Sequence, residues 1–125
     1  MAERLTNQEV SEATATAEAE MIPQRVPVNM YETPAALVVL APFPAVTSGD
    51  VTVELREGQL RFFARLRSAA PRKHLLREWD YGGYERELDL PEGFGAGLEV
   101  SLVNGQLVMR VLRGDFAGDE TVTPS

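Results

Sequence analysis

The segment Gly82-Gly83-Tyr84-Glu85-Arg86-Glu87-Leu88-Asp89-Leu90-Pro91 reads as one β-strand, with a glycine turn in front and a proline stop behind. Tyr84, Arg86, Leu88 and Leu90 alternate with Glu85, Glu87 and Asp89, and a period of two puts the two sets on opposite faces. An arginine on the apolar face is the odd element. A charge there requires a partner, and a second subunit is one source of it. Asn104-Gly105-Gln106-Leu107 follows closely, and Asn-Gly is a two-residue hairpin turn because both central residues of a type I′ turn need positive φ.

The same period recurs on either side. Val51, Val53 and Leu55 alternate with Thr52, Glu54 and Arg56, and Glu57-Gly58-Gln59 then turns the chain into Leu60, Phe62, Ala64 and Leu66. These two strands make the cleanest hairpin in the sequence. Ala36–Ala41 is a continuous apolar run closed by Pro42-Phe43-Pro44, which predicts a strand covered on both faces. Val26, Val28 and Met30, with Pro27 and Asn29 between them, predict an edge strand. Leu98, Val100 and Leu102 alternate before the Asn104-Gly105 turn, and Leu107, Met109 and Val111 after it. Ser68 to Asp80 is the least regular section, with Leu75 and Leu76 beside Trp79 expected as a short strand on a long excursion. Gly93, Gly95 and Gly97 read as a connector, since a phosphate-binding glycine loop needs a helix N-terminus after it and a strand follows instead. Six or seven short strands without a convincing helix predict an all-β, antiparallel, immunoglobulin-like β-sandwich.

The chain has 125 residues, enough for one domain with a single core. Three regions are expected. Residues 1–25 form an acidic arm rich in Ala, Glu and Thr, with the composition of a disordered segment; residues 26–113 form the sandwich; residues 114–125 form a flexible acidic tail. Without cysteine, disulfides and thiol catalysis are excluded. No apolar run reaches the roughly 18 residues of a membrane span, and the amino terminus lacks the layout of a signal peptide, so a cytoplasmic protein is expected. The formal net charge of −7 argues against a general nucleic-acid binder. The charge is uneven: Arg61, Arg65, Arg67, Arg72, Lys73 and Arg77 lie in 17 residues that contain no acid. Two readings stand for that stretch, an electrostatic seam between subunits and a solvated strand face and loop.

The segment Gly82 to Pro91 resembles the "G-x-F/Y-x-R-x-x-x-L-P" stretch of the small heat-shock proteins, the alpha-crystallin-domain family. Val100-Ser101-Leu102-Val103-Asn104-Gly105-Gln106-Leu107 is similar to that family's "A-x-x-x-x-G-V-L", with Gly105 and Leu107 matching and Val100 and Gln106 departing from it. Val28–Thr33 and Asp50–Leu55 also resemble family segments, so the likeness runs from about residue 26 to residue 113 in order and spacing. It implies an ATP-independent holdase that covers apolar surface on partly unfolded clients, as a homodimer built by a swapped loop. The resemblance places Arg86 at the dimer interface, with Glu78 or Asp80 of the other subunit as acidic partners. It also makes Leu75, Leu76, Arg77, Glu78, Trp79 and Asp80 the exchanged loop. The alternative is a loop folded back on its own domain.

By position, the family's apolar slot for clients or tails falls on Val51, Val53 and Leu55 with Leu98, Val100 and Leu102; the plain reading of these six is core. Phe63 is expected to point outward among Arg61, Arg65 and Arg67. The family's "I-x-I/V" tail motif is missing, with Val122 the single apolar anchor, and so is its "V-x-P-K" strand ending, which predicts a dimer or small oligomer rather than a shell. No catalytic residue, metal or cofactor is expected. The single histidine, His74, sits in a basic loop without a local carboxylate, and Glu85, Glu87 and Asp89 form a solvent-facing row whose members lie about 7 Å apart. A non-chaperone interaction module on the same sandwich, binding one folded partner, is the competing expectation.

Overall fold

Alternating apolar residues become strands here because each strand buries one face against a second sheet. The computed structural model describes residues 24–65, 73, 75–76 and 83–124. Among these the strands are β1 (Gln24–Arg25), β2 (Asn29–Glu32), β3 (Ala36–Pro42), β4 (Val51–Arg56), β5 (Gln59–Ala64), β6 (Tyr84–Asp89), β7 (Phe94–Val103), β8 (Gln106–Arg113) and β9 (Glu120–Val122). They form a five-stranded sheet ordered β1-β6-β5-β4-β9 and a four-stranded sheet ordered β2-β3-β8-β7. This is the antiparallel sandwich expected from the period-two pattern, with one parallel pairing, β1 on β6.

The core lies between the sheets. Leu37, Val39 and Ala41 of β3, with Leu107, Met109 and Val111 of β8, face Val51, Val53 and Leu55 of β4 and Leu60, Phe62 and Ala64 of β5. Fully burying each large side chain of this set stabilises the fold by about 1.5–3 kcal/mol. Phe43 closes one end, its ring 5.9 Å from Phe62 and 4.9 Å from Tyr84. The Tyr84 hydroxyl donates to the Pro44 carbonyl at 2.8 Å, which ties the start of β6 to the loop after β3. Burial pushes the Tyr84 phenol above its ordinary pKa. Every residue of β3 from Ala36 to Val39 is buried, as a run covered on both faces requires.

The two hairpins follow their turn chemistry. Glu57-Gly58 joins β4 to β5, with Gly58 at φ 74°, and Asn104-Gly105 joins β7 to β8, with φ values of 50° and 76°. Both residues of the second turn are left-handed, which matches type I′. At the entry to β6, a Cβ on Gly83 would lie 2.0 Å from the Ala64 carbonyl oxygen, so only glycine fits there.

Four expectations need correction. The strand expected from Val26 begins at Asn29; Val26 is buried and Val28 is half-buried against the core, while Pro27 has no N–H to offer a ladder. The connector around Gly95 belongs to β7, which starts at Phe94 and takes up a register irregularity before Leu98. Gln24 and Arg25, assigned to the arm, pair with Tyr84 and Glu85. The tail expected as flexible carries β9, which pairs antiparallel with β4.

Candidate functional site

Arg86 sits opposite Phe62 in the β5–β6 ladder and so points to the inner side of the sheet, toward its β1 end. Its Nη1 donates to the Val26 carbonyl at 2.8 Å, while its Nε is buried and finds no acceptor among the described residues. An unpaired buried donor costs about 1–3 kcal/mol. The acidic partners expected from sequence, Glu78 and Asp80, lie outside the described residues, as do Arg77, Trp79 and His74. Leu75 and Leu76 are described and form no strand within the protomer; they are 92% and 74% exposed.

The edges of the four-stranded sheet are β2 and β7, and all four residues of β2 are exposed. Two of them are large and apolar: Met30 and Tyr31 are 43% and 51% exposed. Sequence reading identified an edge strand but did not single out these residues. The signal was a pair of adjacent large residues, Met30 and Tyr31, on a strand that Pro27 marks as an edge, where backbone N–H and C=O groups are left unpaired.

The six residues expected to line an apolar slot are brought together. β4 and β7 belong to opposite sheets and touch along one side of the sandwich. Val51, Val53 and Leu55 are fully buried there and Leu98 nearly so, whereas Val100 and Leu102 are half-buried against the core. The slot is not open: β9 lies against both β4 and β7. Val122 stands opposite Val53, Thr121 opposite Glu54 and Glu120 opposite Leu55. Cross-strand partners share a face, so Val122 turns inward with Val53 and packs on the core. Pro124 beyond it is buried as well.

On the outer face of the five-stranded sheet, Arg61 gathers its neighbours. Its Nη2 donates to Glu85 Oε1 at 2.9 Å, its Nη1 lies 3.6 Å from Glu54 Oε1, and its guanidinium stacks 4.2 Å from the centre of the Phe63 ring. The hydrogen bond to Glu85 raises the Arg61 pKa above its ordinary value, so the charge is fixed. Phe63 points outward as expected, but Arg61 half-covers it. Arg67 and Arg72 lie outside the described residues. Glu85 belongs to this ion-pair network rather than to an isolated acidic row. Among the described residues no three His, Asp or Glu side chains converge as a metal site, and no helix is long and apolar enough to cross a membrane.

No family model and no curated protein sequence matches this chain. Solved structures do. The hspA protein of Xanthomonas axonopodis superposes with a TM-score of 0.64 at 21% identity, over 74% of this chain and 96% of its own. A small heat-shock protein from Xylella fastidiosa gives 0.63 at 20% identity, over 83% and 99%. Heat shock protein 16.0 from Schizosaccharomyces pombe gives 0.60 at 18% identity, over 76% and 92%. At such identities the likeness is one of fold: the chain shares the β-sandwich of the small heat-shock proteins, over nearly their whole length.

Proposed function

We propose that this protein is an ATP-independent holdase, which binds apolar surface on partly unfolded proteins and slows their aggregation. The observation that carries the reading is the uncovered β2 edge with Met30 and Tyr31, on a sandwich of small heat-shock type. Such an edge offers both unpaired backbone groups and apolar side chains, the combination that an extended segment of another chain needs. The first occupant is a second copy. Leu75 and Leu76, exposed in the protomer, belong to the loop that the resemblance assigns to exchange between subunits, and β2 of the neighbour is the edge that suits it. Arg86 gains an acceptor for Nε from that neighbour, as the resemblance to the alpha-crystallin domain implies. Clients bind the same kinds of surface, without nucleotide and without bond chemistry, and mass action then draws them from the aggregating pool.

The test is a turbidity assay with two unrelated proteins heated in the absence of nucleotide. A holdase protects both at a few-fold molar excess or less. A module that recognises one folded partner protects neither, and that result would replace the present reading. The departure of residues 114–125 from the family's I-x-I/V pattern is the feature that favours the module.

A further inference from the structure

The outer face of the four-stranded sheet is apolar at its centre, which a two-layer sandwich does not require. Along β3 the residues in the core are Leu37, Val39 and Ala41, so Ala36, Val38 and Leu40 point outward. Along β8, Val108, Arg110 and Leu112 do the same, and Leu112 Cδ1 lies 3.0 Å from where a Cβ on Gly97 of β7 would stand. Leu40, Val108 and Leu112 are half-buried, and no described strand lies over them. The register sets this face out in rows about 7 Å apart. Tyr31, Val38, Arg110 and Glu99 form the first row; Asn29, Leu40, Val108 and Ser101 the second; Pro42, Gln106 and Val103 the third. Arg110 is hydrogen-bonded to Glu99, so the formal charges of these rows cancel in a chain of net charge −7.

The same face carries a knob and a hole. Tyr31, on the first row, stands exposed. A cleft of about 310 Å³ opens toward the third row, with Pro27, Asn29, Leu40, Pro42 and Gln106 in its walls. Two prolines and a leucine suit the faces of a ring, and the carboxamides of Asn29 and Gln106 suit a hydroxyl at its tip.

We infer that this face is a two-fold interface with a second copy of the chain, in which Tyr31 of each copy enters the cleft of the other. An isologous interface needs a self-complementary patch, and an axis crossing the strands at the middle row supplies one. That axis exchanges the outer rows. Tyr31 comes over the partner's Pro42, Arg110 over the partner's Gln106, and Glu99 over the partner's Val103. Leu40 and Val108 meet their own counterparts at the axis. Apolar groups therefore meet in the centre, Arg110 finds an amide oxygen, and no two like charges oppose each other. A second copy answers the knob and the cleft at once, whereas a client of arbitrary sequence answers neither in register. The interface is separate from the loop exchange proposed above, and it depends neither on that exchange nor on the holdase reading.

Val108 and Ser101 lie on the middle row, where a charge placed on each copy meets its own likeness. Sedimentation velocity of the full chain, from about 1 to about 100 µM, reads the association. At the upper end the parent should reach about twice the mass of Val108→Lys, whose self-association through this face is at least about tenfold weaker. Val108→Glu should fail in the same way, and an equimolar mixture of the two variants should regain the parent's mass, because opposite charges then meet at the axis. Ser101→Lys removes no apolar side chain and should repeat the loss, with circular dichroism verifying the fold of each variant. Unchanged mass in Val108→Lys and Ser101→Lys overturns the interface, and so does a mixture that stays dissociated. Variants that keep the parent's mass but lose protection of a heated client would give the face to clients and overturn the second copy. A halved mass in the variants, with no client protection by the parent either, upholds the interface and refutes the holdase reading alone.

Discussion

Arg86 condenses the difference between a protomer and an assembly into one side chain. Its Nη1 is satisfied by the Val26 carbonyl, yet its buried Nε has no acceptor among the described residues. A cation retained in this state within the protomer costs about 1–3 kcal/mol, and the cost disappears when a second chain supplies a carboxylate. Replacement by methionine keeps most of the volume and removes both the charge and the orphaned donor. The sign of its effect therefore depends on where the acceptor comes from. We expect Arg86→Met to weaken dimerisation at least about tenfold, equivalent to about 1.4 kcal/mol, while the melting temperature falls by only a few degrees. Sedimentation velocity across the low micromolar range measures the first and calorimetry the second. A dimer of unchanged affinity would place Arg86 among purely intrachain contacts. The sequence exposed this residue because a charge interrupted an otherwise apolar face. It could not show that Val26, 60 positions away, supplies the nearer partner.

Strands with their own hydrophobic period were legible, and strands that exist by permission of a neighbour were not. β4, β5 and β8 each alternate buried and partly exposed or exposed residues, and Gly58 and Asn104-Gly105 mark their turns. β9 is Glu120-Thr121-Val122, too short and too polar to show a period; it forms because the β4 edge offers unpaired groups beside an apolar slot. The six residues that the resemblance assigned to a slot lie together, three of them wholly in the core, and the covering of β4 by β9 was not legible because nothing local in the tail announces a strand. β2 lies between these cases, an edge whose residues are all exposed. A lysine placed on such an edge discourages pairing at little cost to the protomer. Tyr31→Lys is therefore expected to leave the denaturation midpoint nearly unchanged while abolishing dimerisation and most client protection. Loss of stability by more than about 2 kcal/mol would mean that Tyr31 serves the protomer itself, because exposed positions ordinarily shift stability by less than about 0.5 kcal/mol.

At the scale of the whole molecule, the decisive quantity is the competition between a tail's own slot and that of a neighbour. Only six residues, 114–119, separate the end of β8 from β9. A short tether of this kind gives its segment an effective concentration on the order of millimolar at the nearby site. A neighbouring slot at micromolar protein offers about a thousandfold less, and the inward contacts of Val122 and Pro124 would be no greater there. Assembly through exchanged tails is thus disfavoured, whereas the β2 edge faces no such competitor among the described residues. The protein is expected to stop at two copies, or at a small multiple of two. Light scattering coupled to size-exclusion chromatography, at ambient and raised temperature, checks this directly. Heating should loosen the β4–β9 ladder and shift the distribution upward only when protein concentration approaches the effective concentration of the tether. A particle of 12 or 24 copies at micromolar concentration would show that the tails cross between neighbours after all, and would sink the intramolecular closure together with the dimer.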